Sequence, residues 1–298
     1  MEVIDSVPKL SARRPDSHKG TYGRILVIAG SRGMSGAAVL CGTAALRGGA
    51  GLVQVAAPVE VTPIIAAGNP CYMTAALNQD MRGRFAASAV DEIVDLSVPA
   101  DVVAIGPGIG HSDAMPRLLQ GVLERVKKPL VIDADGLNAA VNFPLGIWLA
   151  RESPTILTPH PGEFARLSGL AAADVKTHRE ELAIAFAAER NIVLALKGHA
   201  TIVTDGRRVY RNTTGNPGMA TGGTGDILTG LIAALVGQGL HAFEATVLGV
   251  WAHGRAGDLA AARVGPVSLI ATDVLADLPA ALLEASETVR AGEAGTGS

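Results

Sequence analysis

The chain has 298 residues, 48% of them hydrophobic, 18% charged and 3% aromatic, with a net charge of −3. That composition is sufficient for one large α/β core and excludes global disorder. The absence of a basic run and the scarcity of rings argue against a nucleic-acid surface.

Cys41 and Cys71 form neither a disulfide framework nor a CxxC metal pattern, and both read as buried small hydrophobes of a reducing compartment. The first residues mix Glu2, Asp5, Lys9, Arg13 and Arg14 without an apolar signal core. Apolar tracts are broken by Gly, Pro or charge before the roughly 18 residues that a membrane span needs. A cytoplasmic protein without membrane or nucleic-acid partners is expected.

In chain order, residues 1–17, broken by Pro8 and Pro15, are expected as a polar arm. Ile25–Ala29 reads as a buried parallel strand, followed by a glycine loop (30–36), a small-residue helix over 37–47 and a strand at Leu52–Ala56. Gly30, Gly33 and Gly36 do not match the dinucleotide fingerprint, and no acidic residue closes the second strand. Further strands are expected at Val102–Ile105, Leu130–Ile132, Thr155–Thr158, Val193–Lys197 and Thr201–Thr204. They alternate with helices near 86–96, 115–126, 161–168 and 178–190. This alternation predicts an α/β fold with a mostly parallel sheet and helices on both faces. Ala200–Tyr210 reads as a hairpin turning at Asp205-Gly206. Helices are expected over 241–262 and 268–285, then a disordered tail over 286–298. One domain spans 18–285.

The chemistry gathers at a glycine-dense loop that opens a helix, NTTGNPGMATGGTGDILTGLIAALVGQG (212–239). Gly222, Gly223, Thr224 and Gly225 offer amides at a helix N-terminus, a site for anionic oxygens. Asp226 reads either as a cap or as a base beside the charge that develops there. Ligands of open α/β sheets bind beyond the carboxyl ends of the strands. Those ends carry GPGIG (106–110), DADGLNA (133–139), PHPGE (159–163) and KGHAT (197–201). Lys197 either snorkels to water or meets phosphate. His160, between two prolines, reads as a positioned ligand contact or a structural histidine. Glu163 satisfies a helix dipole or acts on hydrated Mg²⁺. Of Asp133 and Asp135, one is expected to face ligand and the other to cap. His18 and Lys19 either cover the site or are plain surface, and His253 reads as packing. Zinc spacing, the G-x-S-x-G elbow and the P-loop pattern are all missing from the sequence.

Taken together, HKGTYGRILVIAGS (18–31), the small residues 36–38, IGPGIG (105–110), VIDADGLN (131–138), ILTPHPGEFARL (156–167), LKGHATIV (196–203) and NPGMATGGTGDILTG (216–230) resemble one family. It is the ADP- or ATP-dependent NAD(P)H-hydrate dehydratases, of ribokinase-like fold. The resemblance implies dehydration of (6S)-hydrates of NADH and NADPH, with ADP or ATP as phosphoryl donor and Mg²⁺ as cofactor. It implies Ala37, Gly108, His160 and Asp226 as hydrate contacts, with Asp226 the base. Lys197, Gly198, His199, Ala200, Thr201 and Gly225 would take the adenine nucleotide. Larger members carry an epimerase domain, so a functional partner epimerase on a separate chain is expected, together with a homo-oligomer, a tetramer by resemblance. The small-residue helix after Gly36 is read as a surface for packing between subunits.

Overall fold

The computed structural model describes residues 1–286. Its strands are β1 (Glu2–Ile4), β2 (Arg24–Ile28), β3 (Leu52–Pro58), β4 (Met73–Leu77), β5 (Val102–Ile105), β6 (Leu130–Ile132), β7 (Thr155–Leu157), β8 (Val193–Leu196), β9 (Ile202–Thr204) and β10 (Arg208–Arg211). They form one sheet in the order β1-β10-β9-β8-β7-β6-β5-β2-β3-β4. Strands β2 to β8 run parallel, while β9 and β10 form an antiparallel hairpin whose far side pairs with β1. Helices are α1 (Ser35–Arg47), α2 (Thr62–Gly68), α3 (Ala89–Ser97), α4 (Ala114–Arg125), α5 (Asp135–Ala139), α6 (Leu145–Leu149), α7 (Pro161–Ser168), α8 (Ala172–Thr177), α9 (Arg179–Arg190), α10 (Thr224–Gly237), α11 (Ala242–Val264) and α12 (Ala271–Ala285).

The strands are apolar on both faces because both are covered, as parallel sheets require. Along β2, Leu26 and Ile28 pack on one side with Ile93 of α3, Leu118 of α4, Phe164 of α7 and Phe186 of α9. Ile25 and Val27 pack on the other with Ala38 and Cys41 of α1, Leu228 and Ile232 of α10 and Val247 of α11. Helix α12 adds an outer layer over α10 and α11 through Val274, Leu278 and Ala281. Helix α10 is therefore enclosed, and its sequence is apolar all round.

Chain order runs from β2 outward to β3 and β4, then returns to β5 on the other side of β2. The loops after β2 and β5 thus part at the topological switch point, where open sheets bind ligands. There they are tied together by Gly30 N–H donating to Pro107 O at 2.8 Å and Ser31 Oγ donating to Gly108 O at 2.8 Å.

Most expected strands and helices stand within one or two residues of their sequence bounds, including the hairpin, where Asp205 Oδ1 accepts from the amides of Arg207 and Arg208. The expected polar arm is only partly an arm, since Glu2–Ile4 extends the sheet and Leu10 bridges to Ser286. Strand β4, an alanine-containing edge strand without a β-branched run, and α2 before it lay outside the sequence reading. Cys41 is buried but Cys71 is exposed, against the expectation for both. His18 and Lys19 do not cover the strand ends that carry the chemistry. His18 caps a 3-10 turn, Lys19–Tyr22, that leads into the opposite end of β2. The tail expected over 286–298 lies outside the described residues beyond Ser286.

Part of α1 packs closely against α10 inside the protomer, while Gly36 at its start stays exposed. A Cβ on Gly230 of α10 would stand 2.0 Å from the Cys41 carbonyl oxygen of α1. Gly230→Ala is expected to destabilise the fold by roughly 1–3 kcal/mol, because backbone and not a mobile side chain must give way. Denaturant unfolding checks this, and an unchanged midpoint contradicts the packing described.

Candidate active site

Four of the loaded strand ends converge on the start of α10. Gly223 is its N-cap, left-handed at φ 95°, and with no side chain there it accepts close contact from Leu40 of α1. Thr224 turns its hydroxyl back onto the carbonyls of Met219 and Thr221, both at 3.1 Å, which shapes the loop before the helix. Gly225 faces Lys197: a Cβ there would meet Nζ at 3.2 Å and Asp133 Oδ2 at 3.6 Å. The first-turn amides of α10 are therefore bare, at the positive end of a 14-residue helix.

Beneath them sits Asp133, 1% exposed. Its Oδ1 accepts from Lys197 Nζ at 2.7 Å and its Oδ2 from Thr229 Oγ1 at 2.7 Å. Lys197 lies 4.0 Å from Glu163 Oε2 as well. Burial alone would push the Lys197 proton off, but Asp133 and Glu163 outweigh it, so the ammonium is held more firmly than usual. Lys197 neither snorkels to bulk water nor stands free; it is a buried counter-ion whose position is set by two carboxylates.

Asp226 is half-buried in the first turn of α10, and its side chain does not cap the helix. Its pKa is pushed up to about 7, first by burial and then by the Asp133 charge, with Lys197 opposing. That places it where a general base operates near neutral pH. Glu163 is likewise raised, by burial first, with Lys197 opposing.

Other predicted residues take more mixed roles. His160 caps α7: its Nδ1 accepts from the amides of Gly162 and Glu163 at 3.0 and 3.3 Å, and Glu163 Oε2 returns the contact to His160 N at 2.8 Å. Its ring remains half exposed beyond that cap. Glu163 is buried in the same capping box, so its carboxylate is already committed to a backbone amide and Lys197. Among the described residues no three His, Cys, Asp or Glu side chains gather to hold a metal ion. The expectation for Asp133 and Asp135 is corrected, because neither side chain caps α5. The N-cap is Ala134, left-handed at φ 52°, and Asp135 Oδ2 accepts from Gly110 N–H at 2.9 Å, bracing the GPGIG turn. Ala37 and Gly108 are brought together, since a Cβ on Gly108 would lie 2.9 Å from that of Ala37. One turn along α1, Leu40 touches Gly223, so the Ala37–Gly108 wall adjoins the glycine loop. Gly198, His199 and Ala200 form an exposed bend after β8.

Sequence reasoning missed Thr229, whose signal was its place three residues after Asp226 on a helix otherwise apolar there. His253, read as packing, is enclosed beside the same loop. That side chain lies against the Thr224 backbone and is kept neutral down to about pH 4, first by burial. Its Nε2 finds no partner among the described residues. A cavity of about 600 Å³ lies at the opposite end of the sheet, between Leu10–Arg14, Arg47–Gly49 and α12, away from these groups.

With this geometry in place, comparison with known proteins is decisive. The family model for NAD(P)H-hydrate dehydratase matches residues 25–280. The chain belongs to the NAD(P)H-hydrate dehydratase family. It is 39% identical over 254 residues to an ADP-dependent (S)-NAD(P)H-hydrate dehydratase of Neisseria meningitidis, covering 83% of this chain and 80% of that one. It is 44% identical over 283 residues to a bifunctional NAD(P)H-hydrate repair enzyme of Moorella thermoacetica, covering 94% of this chain. The chain spans about half the length of such bifunctional relatives, 53% in that case. A crystal structure of the ADP/ATP-dependent NAD(P)H-hydrate dehydratase of Bacillus subtilis, co-crystallised with ATP/Mg²⁺, superposes with a TM-score of 0.81 at 31% identity, covering 94% of this chain and 99% of that one. The fold is ribokinase-like.

Because the folded chain holds the Asp226 proton up to about pH 7 against an ordinary value of 3.8, ionising that group costs stability. The cost grows between those values and is complete above pH 7. Asp226→Asn removes it, so at pH 8 the variant is expected to unfold later than the parent, by up to about 4 kcal/mol. The advantage shrinks toward zero near pH 4. Thermal unfolding at the two pH values checks this; a variant less stable at pH 8 contradicts it.

Proposed function

We propose that this chain restores NADH and NADPH from their (6S)-hydrates, at the expense of ADP or ATP, as a carbon–oxygen lyase of nicotinamide nucleotide repair. The observation that carries the reading is Asp226, raised toward neutrality and standing beside the bare amides of Gly222–Gly225. Asp226 takes the proton from the hydroxyl of the hydrated ring as that oxygen attacks the terminal phosphorus of the nucleotide. The bond to the leaving nucleotide oxygen breaks, and the amides of the glycine loop receive the negative charge on the transferring group. The ring phosphate ester then eliminates inorganic phosphate with loss of a ring proton, and the nicotinamide double bond returns.

Ala37 and Gly108, which lie against each other, would take the ring, and the half-exposed His160 ring stands at the same end of the sheet. Lys197 through Thr201 and Gly225 take the nucleotide, with Lys197 already oriented by Asp133. Mg²⁺ would enter with the nucleotide, in line with the magnesium preference for phosphate oxygens. Glu163 would meet it through water, and the ion would supply charge neutralisation on the phosphates. The Neisseria relative is named for ADP and the Bacillus one for ADP or ATP, so both donors belong in the assay.

A homotetramer working beside a separate epimerase in the cytoplasm completes the proposal. Among the described residues no helix is long and apolar enough to cross a membrane. Light scattering of the purified chain tests the tetramer.

Supplied with hydrated NADH or NADPH and either nucleotide, the protein is expected to restore absorbance at 340 nm, with stoichiometric phosphate release. Asp226→Asn should lose at least about a hundredfold in turnover, in line with removal of a general base. The rate should climb with pH and level off above about 7, where Asp226 is ionised. A stable phosphorylated heterocycle without recovery at 340 nm would move the chain to a kinase of the same fold, and turnover intact in Asp226→Asn would remove the base.

A further inference from the structure

We propose that Arg179, the first residue of α9, is a positioning residue for the nucleotide loop 197–201: it turns the amides of Gly198 and Ala200 outward as donors for nucleotide oxygens. The inference rests on the reading that this loop takes the adenine nucleotide.

The loop is an unusual piece of chain. Gly198 has φ 139° and Ala200 φ 51°, so two of three consecutive residues are left-handed, one of them carrying a side chain. Such backbone persists where its surroundings over-determine it. Arg179 supplies that determination. Its Nη1 donates to His199 O at 2.8 Å, and its Nη2 to Leu196 O and Lys197 O, both at 3.3 Å. One rigid guanidinium fork thus gathers three carbonyls from four successive residues.

A trans peptide unit is planar, with its carbonyl and the following N–H pointing opposite ways. Drawing the carbonyls of Lys197 and His199 toward Arg179 therefore directs the amides of Gly198 and Ala200 away from it. None of the amides from Gly198 to Thr201 donates to a protein acceptor among the described residues, whereas Lys197 N–H is anchored on Pro159 O at 2.8 Å. Gly198, His199 and Ala200 are exposed, and the loop follows directly on Lys197, whose ammonium reaches Asp133. Successive free amides in such a bend make an anion-binding concavity.

Charge reinforces geometry. Among the described residues Arg179 forms no ion pair with a carboxylate, in contrast to Arg208 and Arg211 on the neighbouring strand. Its positive charge stands uncancelled behind the loop, half-buried, and three carbonyl dipoles hold it there. Gly198 belongs to the same device: a Cβ at that residue would stand 2.9 Å from Arg179 Nη2.

The test measures ADP dissociation constants by calorimetry and hydrate KM by turnover for the parent, Arg179→Lys, Arg179→Gln and Gly198→Ala, with circular dichroism to establish folding. Lysine keeps the charge and loses the fork. It is expected to weaken ADP binding about tenfold, and glutamine more, while hydrate KM stays within about twofold. Gly198→Ala should weaken ADP binding at least as far, because its Cβ meets the same guanidinium and strains a backbone at φ 139°, and Arg179→Lys decides the matter if the glutamine variant does not fold. ADP affinity within twofold of the parent in folded variants overturns the proposal, as does a hydrate KM that rises in step with the nucleotide constant. Hydrogen exchange of the parent separates this failure from that of the underlying reading. Protection of residues 198–201 by saturating ADP upholds the loop as the nucleotide site, and its absence overturns that assignment whatever the variants do.

Discussion

The interaction on which the site depends is the buried carboxylate of Asp133, which joins three parts of the chain that are distant in sequence. It accepts from Lys197 at the end of β8 and from Thr229 inside α10, and it follows directly on β6. A buried ion pair of this kind contributes little net stability, because desolvation of both groups offsets their attraction. What it fixes is position. With Lys197 drawn under Gly225 and Thr229 tied from below, the first turn of α10 cannot slide or rotate relative to the sheet. The amides of the glycine loop are held where strand ends and helix terminus meet.

The same carboxylate sets the electrostatics. Asp226 shares the low-dielectric space with Asp133, and the repulsion adds to the cost of burial that lifts its pKa toward neutrality. Lys197 prevents the two acids from destroying the site by mutual repulsion, and it keeps a cation beside the amide cradle. An anion arriving at α10 is met by dipole, amides and ammonium, while the one nearby carboxylate that is not internally paired, Asp226, is the group poised to accept a proton. One aspartate is thus committed to the frame of the site while the other, close in space, keeps its carboxylate free. The chain belongs to the NAD(P)H-hydrate dehydratase family, and its Neisseria relative is an ADP-dependent (S)-NAD(P)H-hydrate dehydratase.

Much of the fold was legible from the sequence because β2, β5, β6, β7 and β8 are continuous apolar runs, and runs covered on both faces leave a simple signature. The motifs at their carboxyl ends were legible as well, and the fold brings Asp133, Glu163 and Lys197 of three of them together. Elements at the margins were not legible. Glu2–Ile4 has no apolar alternation and pairs only because β10 presents an open edge. Met73–Leu77 owes its strand to pairing with β3 more than to its own residues. The Lys197–Asp133 pair spans 64 residues of sequence, and nothing local distinguishes a lysine that meets phosphate from one held by a carboxylate. Asp135 as a brace for Gly110 and Arg179 as a clamp on three carbonyls are likewise products of tertiary arrangement. Of the glycines near 36–48 that suggested an interface, Gly48 approaches Leu231 and Ala234 of α10 and Gly42 approaches Val55 of β3, while Gly36 stands open.

The measurement closest to the central claim is a carboxyl-carbon NMR titration of the folded protein, with Asp226 assigned by loss of its signal in Asp226→Asn. The account predicts a midpoint near 7, falling when Asp133→Asn removes the neighbouring charge. An Asp226 signal that titrates near 4, or one indifferent to Asp133, would contradict the claim that a buried carboxylate beneath α10 helps to hold Asp226 near neutrality.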